Sequence, residues 1–371
     1  MSDIHITGGG IVGLLLAREL AEAGVGVILL ERGRCCREAS WAGGGIVSPL
    51  YPWRYAAPIT ALAGWAQDFY PELVVALRET TGIDPELNHC GLLMLQAPDE
   101  SEALQWASKT GRRIMPVDSE FIYRKEARLA GGFTRGLWMP DVANVRNPRL
   151  GQALYEDLIG RLGVTIMEHC EVRRIVCENS RVQSLEVTQA GHKRRIPVST
   201  LVVSAGAWSG EILRSTGVRL QVEPVKGQML LYKSPHQLIE SVVLTEGRYL
   251  IPRKDGHILA GSTLEYCGFD KSPTDDALHS LRESAERLVP DLKSLQIKAQ
   301  WAGLRPGAPG GIPYIGALPG FENLYVNAGQ FRNGLVLAPA SARLLADLLL
   351  GRSPIVDPVP FLPGTTRETG F

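Results

Sequence analysis

Apolar and polar positions alternate as soon as the chain begins. In "DIHITGGG" Ile4 and Ile6 share one side of an extended segment, and three glycines follow at once. Over residues 11–23, "IVGLLLARELAEA", the apolar positions recur every three to four residues and predict a helix, which Gly24 closes. "VGVILLE" then reads as a buried strand ending on Glu31. Helical spacing returns over 59–81, where Pro71 is expected to break or kink the helix. "GLLMLQ" (91–96) predicts a strand, "ESEALQWASKTG" (100–111) a helix closed by Gly111, and "NPRLGQALYEDLIGRLGVTIME" a helix followed by a strand. "RVQSLEVTQAGHKRRIPVSTLVVSAGAWSG" predicts a hairpin and then a buried strand that runs into Gly206. Residues 222–261 are β-rich, with a turn at 254–256 joining two alternating strands, and a helix is expected over 274–288. "NLYVNAGQFRNGLVLAPASARLLADLLLG" closes the pattern as strand, glycine turn and apolar helix, and the proline-rich tail beyond Gly351 is expected to be loosely held. No stretch repeats another.

The first strand, turn and helix contain chemistry as well as pattern. Gly8, Gly10 and Gly13 form GxGxxG between a predicted strand and a predicted helix. Gly8 permits the tight turn, Gly10 lets a pyrophosphate approach the backbone, and Gly13 lets helix and strand pack closely. The helix N-terminus offers free N–H groups and partial positive charge to the phosphates, and Glu31 accepts from a ribose diol. An acid there disfavours a 2′-phosphate and so argues against NADP. A second glycine cluster follows in "EASWAGGGIVSP", with Ser40 ahead of residues 43–45. A second close-approach loop suits a cofactor longer than NAD, although an ordinary glycine-rich loop has the same composition.

Length and charge narrow the class. At 371 residues the chain predicts two domains, and 40 glycines suit many close backbone approaches. Lys and Arg number 39 against 39 acids, which leaves no electrostatic case for nucleic acid or an anionic membrane. The six cysteines, at 35, 36, 90, 170, 177 and 267, have no metal-site spacing, so no metal is expected; Cys35 and Cys36 read as reduced thiols or as a redox pair. The N-terminus has an acid where a signal peptide wants a base, and no run of about 18 apolar residues predicts a membrane span, so a cytoplasmic location is expected.

Nucleotide-type segments thus lie at both ends and near residue 200, with β-rich material between them. The expected fold is α/β: a Rossmann-type dinucleotide domain made of 1–80, 145–217 and 298–365, interleaved with an α+β substrate domain on a mostly antiparallel sheet, 81–144 and 218–297. A cleft between them is the expected ligand site. One stretch stands out against it. "AQWAGLRPGAPGGIPYIG" holds a lone cation, Arg305, with no acid within ten residues on either side.

Four blocks in this order, "GGGIVGLLLARELAEAG…LLE", "SAGAWSG", "YLIPRKDGHILAGST" and "WAGLRPGAPGGIPYIG…NAGQFRNGLVLAPA", resemble the D-amino-acid oxidase family of flavoproteins. Within it they look most like the glycine oxidases of bacterial thiamine biosynthesis. The resemblance implies non-covalent FAD, since the cysteine that carries flavin covalently in related enzymes is missing from "APGGIPYIG". It implies a small amino acid and molecular oxygen as reactants, hydride transfer from the substrate Cα to flavin N5, hydrolysis of the imine and release of hydrogen peroxide. It implies catalytic roles for Arg305 as carboxylate clamp, Tyr249 as a hydrogen-bonding partner of that carboxylate, and Arg332 beside flavin and substrate. Tyr249 as a packing residue of its strand and Arg332 as a structural arginine are the alternatives. The cofactor contacts implied are Gly8, Gly10, Ile11, Val12, Gly13, Glu31, Arg32, Ser40, Ala42, Gly43, Gly44, Val172, Ala205, Gly206, Trp208, Arg305, Gly329, Arg332, Asn333, Gly334 and Leu335. The loop 46–54 is a candidate cap, through Ile46, Tyr51 and Trp53, and Leu264 stands where such enzymes place a methionine over the substrate. A homo-oligomer and supply of iminoglycine for a thiazole are further implications. A sarcosine-type oxidase or a quinone-linked D-amino-acid dehydrogenase is the alternative within this fold; a non-catalytic sensor of NAD or FAD is the alternative outside it.

Overall fold

The strand Ile4–Thr7 is buried at every position, as a central parallel strand must be. It pairs in parallel with Val27–Leu30 on one side and Thr200–Val203 on the other. The computed structural model describes residues 3–367. The six-stranded sheet continues through Leu324–Ala328, parallel, to Tyr314–Ala317, antiparallel at one edge, and ends at Thr165–Met167 on the other. Helices Ile11–Glu22, Ala57–Thr81, Asn147–Glu156 and Gly334–Leu350 pack one face with a continuous apolar core. A three-stranded antiparallel sheet, Cys170–Glu178, Arg181–Gln189 and His192–Pro197, covers the other. The layering is the expected α/β one.

The second sheet has eight strands, in the order 297–307, 223–233, 257–261, 248–252, 242–245, 92–95, 135–139, 115–118. Its pairings are antiparallel except that of Val242–Thr245 with Leu92–Leu95. The turn at 254–256 and the helix Asp275–Leu288, capped by Thr274, stand where the pattern puts them.

Three expectations change. The strand Ile297–Gly307 pairs along its length with Glu223–Lys233, so it belongs to the eight-stranded sheet and not with the segments grouped around the dinucleotide site from 298 onward. The helix Ala57–Thr81 runs through Pro71 without a break, because Tyr70, Leu73, Val74 and Leu77 are buried around that point and the Tyr70 hydroxyl donates to the Leu335 carbonyl at 2.7 Å. The tail as far as Arg367 is held rather than loose, and the residues beyond it lie outside those described: Phe361 is 1% exposed, and the Arg367 guanidinium lies 3.6 Å from the Tyr314 ring centre. The stretch Phe331–Leu350 has the length and apolarity of a membrane span, yet 67% of it is buried inside this protein. Its apolar character serves the core.

Candidate active site

A cavity of about 600 Å³ runs between the two sheets, lined from Thr7 near one end of the chain to Val336 near the other. Its first wall is the glycine turn. Gly8 sits at φ +112°, and a Cβ there would lie 2.3 Å from the Ser204 carbonyl oxygen. Gly8, Gly10, Ile11 and Val12 line the cavity. Gly13 does not; its absent Cβ would fall 2.0 Å from the Gly8 carbonyl oxygen, so it lets the helix close on the turn. Glu31 also lines the cavity while its carboxylate accepts from Gly9 N at 2.7 Å and Gly33 N at 2.9 Å. It therefore shapes the turn as well as facing a ligand. The Ser40 hydroxyl accepts from Ile11 N at 2.8 Å and caps the helix start from a distant segment.

Beyond Glu31 the wall is formed by Arg32, Val172, Ala205, Gly206 and Trp208. Arg32 donates to Glu38 at 2.9 Å and lies 3.6 Å from the Trp208 ring centre; Phe269 stacks on that tryptophan at 5.4 Å. The segment around Phe269 reaches across from the eight-stranded sheet, where Lys271 pairs with Glu38 at 3.0 Å. Cys35 and Cys36 are free thiols, pushed up chiefly by burial, Cys36 to about 12. Thiols so disfavoured as thiolates are poor redox groups.

Gly43 and Gly44 line the middle of the cavity. A Cβ on Gly44 would lie 2.6 Å from the Ile251 side chain and 3.4 Å from the Tyr249 ring, so glycine lets the two sheets meet there. Ala42 does not line the cavity. Its carbonyl accepts from Trp301 Nε1 at 2.9 Å, and its Cβ faces Gly303, where a side chain would be 2.5 Å away. Trp301, Gly303 and Arg305 alternate along one face of their strand. The first two seat that strand on the short helix Ala39–Ala42; the third reaches the cavity. Gly329, at φ +93°, also stays behind the wall and clears Ala308. Asn333, Gly334 and Leu335 line the cavity where the helix Gly334–Leu350 starts.

Arg305, Arg332 and Tyr249 gather at the far end. Arg305 donates to the Ser262 hydroxyl at 2.8 Å and to the Thr263 carbonyl at 3.1 Å. Its guanidinium rests on Gly227, which has no side chain to displace it. Burial lowers its pKa, the Tyr249 phenol opposes that shift, and the positive Arg332 adds to it. Among the described residues no carboxylate makes an ion pair with Arg305 or Arg332; Glu265, the acid nearest in effect, is paired with Lys226 at 3.3 Å. The Tyr249 hydroxyl has Met229 Sδ at 3.5 Å. Tyr55, which the residue pattern did not single out, stands beside Arg332 and Asn333 but does not line the cavity. Burial raises its pKa, while Arg332, the Asn333 side chain and Arg305 act against that. Two guanidiniums and the Tyr249 phenol, with no acid paired to them among the described residues, form a site for an anion.

The loop 46–54 divides. Ile46, Ser48 and Leu50 line the cavity. Tyr51 and Trp53 do not, because Asp99 takes the indole N–H and both arms of Arg54, whose guanidinium lies 3.9 Å from the Tyr51 ring centre. Leu264 is 40% exposed and also lies outside the lining, so it does not cover the substrate end.

The wall fits FAD in shape and in unmet hydrogen bonding. Its length joins a phosphate-type helix start to an anion site, and two of its buried polar atoms, Asn147 Oδ1 and Ser204 Oγ, have no protein partner. The profile of the family described as FAD dependent oxidoreductase matches residues 3–348. The chain is 54% identical over 360 residues to a glycine oxidase of Pseudomonas aeruginosa, covering 97% of this chain and 98% of that one. It is 32% identical to a bifunctional protein ThiO/ThiG of Synechocystis, covering 96% of this chain and 53% of that protein. Its structure is similar to the crystal structure of glycine oxidase from Geobacillus kaustophilus, with a TM-score of 0.91, 28% identity and full coverage of both chains.

Proposed function

The chain belongs to the family of FAD-dependent oxidoreductases, and on that premise we propose that it oxidises glycine and other small amino acids, sarcosine and small D-amino acids among them, through an imine that water converts to the 2-oxo acid. It is an FAD-dependent amino-acid oxidase. The observation that carries the substrate class is the half-buried Arg305 guanidinium, open to the cavity and without a carboxylate partner among the described residues.

In this reading Arg305 meets both carboxylate oxygens with its planar fork, which a lysine cannot reproduce. Tyr249 donates its hydroxyl to the same carboxylate, and Arg332 adds positive charge from the start of the last helix. Among the described residues no acid stands at this end to stabilise an ammonium, so the bound amine is favoured in its neutral form, the form that can be oxidised. Gly8, Gly10, Glu31 and Ser40 would hold the dinucleotide, and Gly44 leaves room for the Ile251 and Tyr249 side chains beside it. When bound, FAD supplies the two-electron oxidation of the C–N bond and passes the electrons to oxygen, giving hydrogen peroxide. The proposed setting is a cytoplasmic homo-oligomer whose imine product feeds the thiazole of thiamine, an assignment supported by the ThiO/ThiG name of a relative.

The test is direct. Purified protein is expected to be yellow, and glycine with oxygen to give glyoxylate, ammonia and peroxide. Colourless protein that takes up no FAD would sink the reading. A panel of glycine, sarcosine, D-alanine and D-proline ranks the substrates, and slow reoxidation in air after anaerobic reduction would point to a dehydrogenase.

A further inference from the structure

Asn147 keeps a buried acceptor that no donor among the described residues meets. It opens the helix Asn147–Glu156, is 4% exposed and lines the cavity. Its Nδ2 donates to the Ser40 carbonyl at 3.0 Å, while its Oδ1 is buried with no partner. The orientation of the amide is not arbitrary. A flipped carboxamide would set its oxygen against the Ser40 carbonyl, two acceptors face to face, so the orphan must be the acceptor. A buried acceptor without a donor is costly and uncommon.

Its neighbours say where along the cavity it stands. Ser40 reaches back to the N–H of Ile11, at the phosphate-type helix start. Gly43 and Gly45 lie over Asn147: a Cβ on Gly43 would be 3.2 Å from Nδ2, and one on Gly45 would be 2.5 Å from Oδ1. Gly44, between them, faces Tyr249 at the substrate end. The orphan oxygen therefore lies midway, whereas Ser204, the other unsatisfied group in the wall, abuts Gly8 at the phosphate end. The part of FAD that spans from pyrophosphate to ring is the ribityl chain, a row of hydroxyl donors. Resting on the FAD reading above, we propose that Asn147 is a cofactor-binding residue whose Oδ1 accepts a hydrogen bond from a ribityl hydroxyl of FAD, while its Nδ2 holds the glycine loop 43–45 open for that chain to pass.

The experiment compares two ligands on apoprotein. FAD has the ribityl chain; ADP has the same adenosine and pyrophosphate without it. Asn147→Ala is expected to raise the Kd for FAD roughly tenfold, as for one lost hydrogen bond in a dry site, and to leave the Kd for ADP within about twofold. Equal weakening of both ligands would mean that Asn147 merely braces Ser40, and would overturn the proposal; so would an unmoved FAD Kd. FAD analogues lacking one ribityl hydroxyl at a time supply a second measurement that needs no variant. One of them is expected to bind wild-type apoprotein several-fold more weakly than FAD, and Asn147→Ala, where it folds, should not distinguish the two. If every analogue binds wild-type apoprotein as FAD does, the proposal fails. Wild-type apoprotein that takes up ADP but no FAD would overturn the underlying cofactor reading instead.

Discussion

Gly227→Ala tests the carboxylate clamp without removing a charge or a hydrogen-bonding group. Gly227 pairs with Gly303 in the antiparallel ladder, and the Arg305 guanidinium lies directly on it. A Cβ at 227 would stand 2.1 Å from Nη1, 2.2 Å from Nη2 and 2.3 Å from Cζ. Ordinary contact requires about 3.5 Å, so the guanidinium must retreat by roughly 1 Å or more. The strand cannot yield in its place, because Gly227 pairs with Gly303 on one side while, on the other, Lys226 bridges Glu265 and the Gln228 N–H donates to the Thr263 hydroxyl at 3.0 Å. The intruding methyl meets the mobile end of a side chain, so the fold should survive with a modest fall in Tm. The fork, however, loses its aim. One charge-assisted pair is worth about 1.5–3 kcal/mol, which at about 1.36 kcal/mol per decade is a loss of roughly 10- to 150-fold in kcat/KM. The assay is oxygen consumption against glycine concentration, with FAD content read from the visible spectrum of the same sample. The loss should fall mainly in KM, and Gly227→Ala added to Arg305→Ala should cost little more, because both act through one guanidinium. A variant with full FAD and an unchanged glycine KM would refute the clamp.

Three further outcomes follow from the same geometry. Arg305→Lys keeps the charge but not the fork, and kcat/KM for glycine is expected to fall about tenfold or more, less than for Arg305→Ala, in steady-state assays. Glu31→Gln removes the charge from an acceptor shared by Gly9 and Gly33; the Kd for FAD, titrated on apoprotein, should rise roughly fivefold, the value of about 1 kcal/mol in one hydrogen bond. Asp99 is held at about 2, chiefly by the Arg54 guanidinium, with burial opposing. Its folded pKa lies below the unfolded one, so its stabilisation of the loop is present above about pH 4 and lost as pH falls toward 2. Asp99→Asn should therefore lower Tm at pH 6, by an amount that shrinks as pH falls through about 2 and vanishes below it; a gap that persists in strong acid would show that the ion pair is not its source.

Much of this site could be read from the chain because its signals are local. Gly8, Gly10 and Gly13 sit between a strand and a helix, Lys254, Asp255 and Gly256 form a turn, and Thr274 caps a helix; each statement needs about ten residues of context. Arg305 was legible through what its neighbours lack. Asn147 was not, since an asparagine before a proline reads as an ordinary helix start, and only the distant Ser40 gives its amide a direction. Tyr55 was missed for a similar reason: its partners Arg332 and Asn333 are far away in sequence. Chain order groups residues from 298 onward with the dinucleotide segments, but the pairing of Ile297–Gly307 is decided by its non-local partner Glu223–Lys233. Gly13 lets the helix close on the turn, as expected, whereas Ala42 and Gly329, implied as cofactor contacts, meet protein neighbours behind the cavity wall.

The order of strands in the six-stranded sheet also sets a timetable. Ile4–Thr7 is joined to Leu324–Ala328 through Thr200–Val203, and the cavity wall runs from Thr7 to Val336. During synthesis the phosphate-binding turn emerges first and the Arg332 end of the site emerges last. The cavity is complete only once the residues from Thr7 to Val336 are all present. A chain still short of residue 336 thus offers FAD one wall of the cavity without the other.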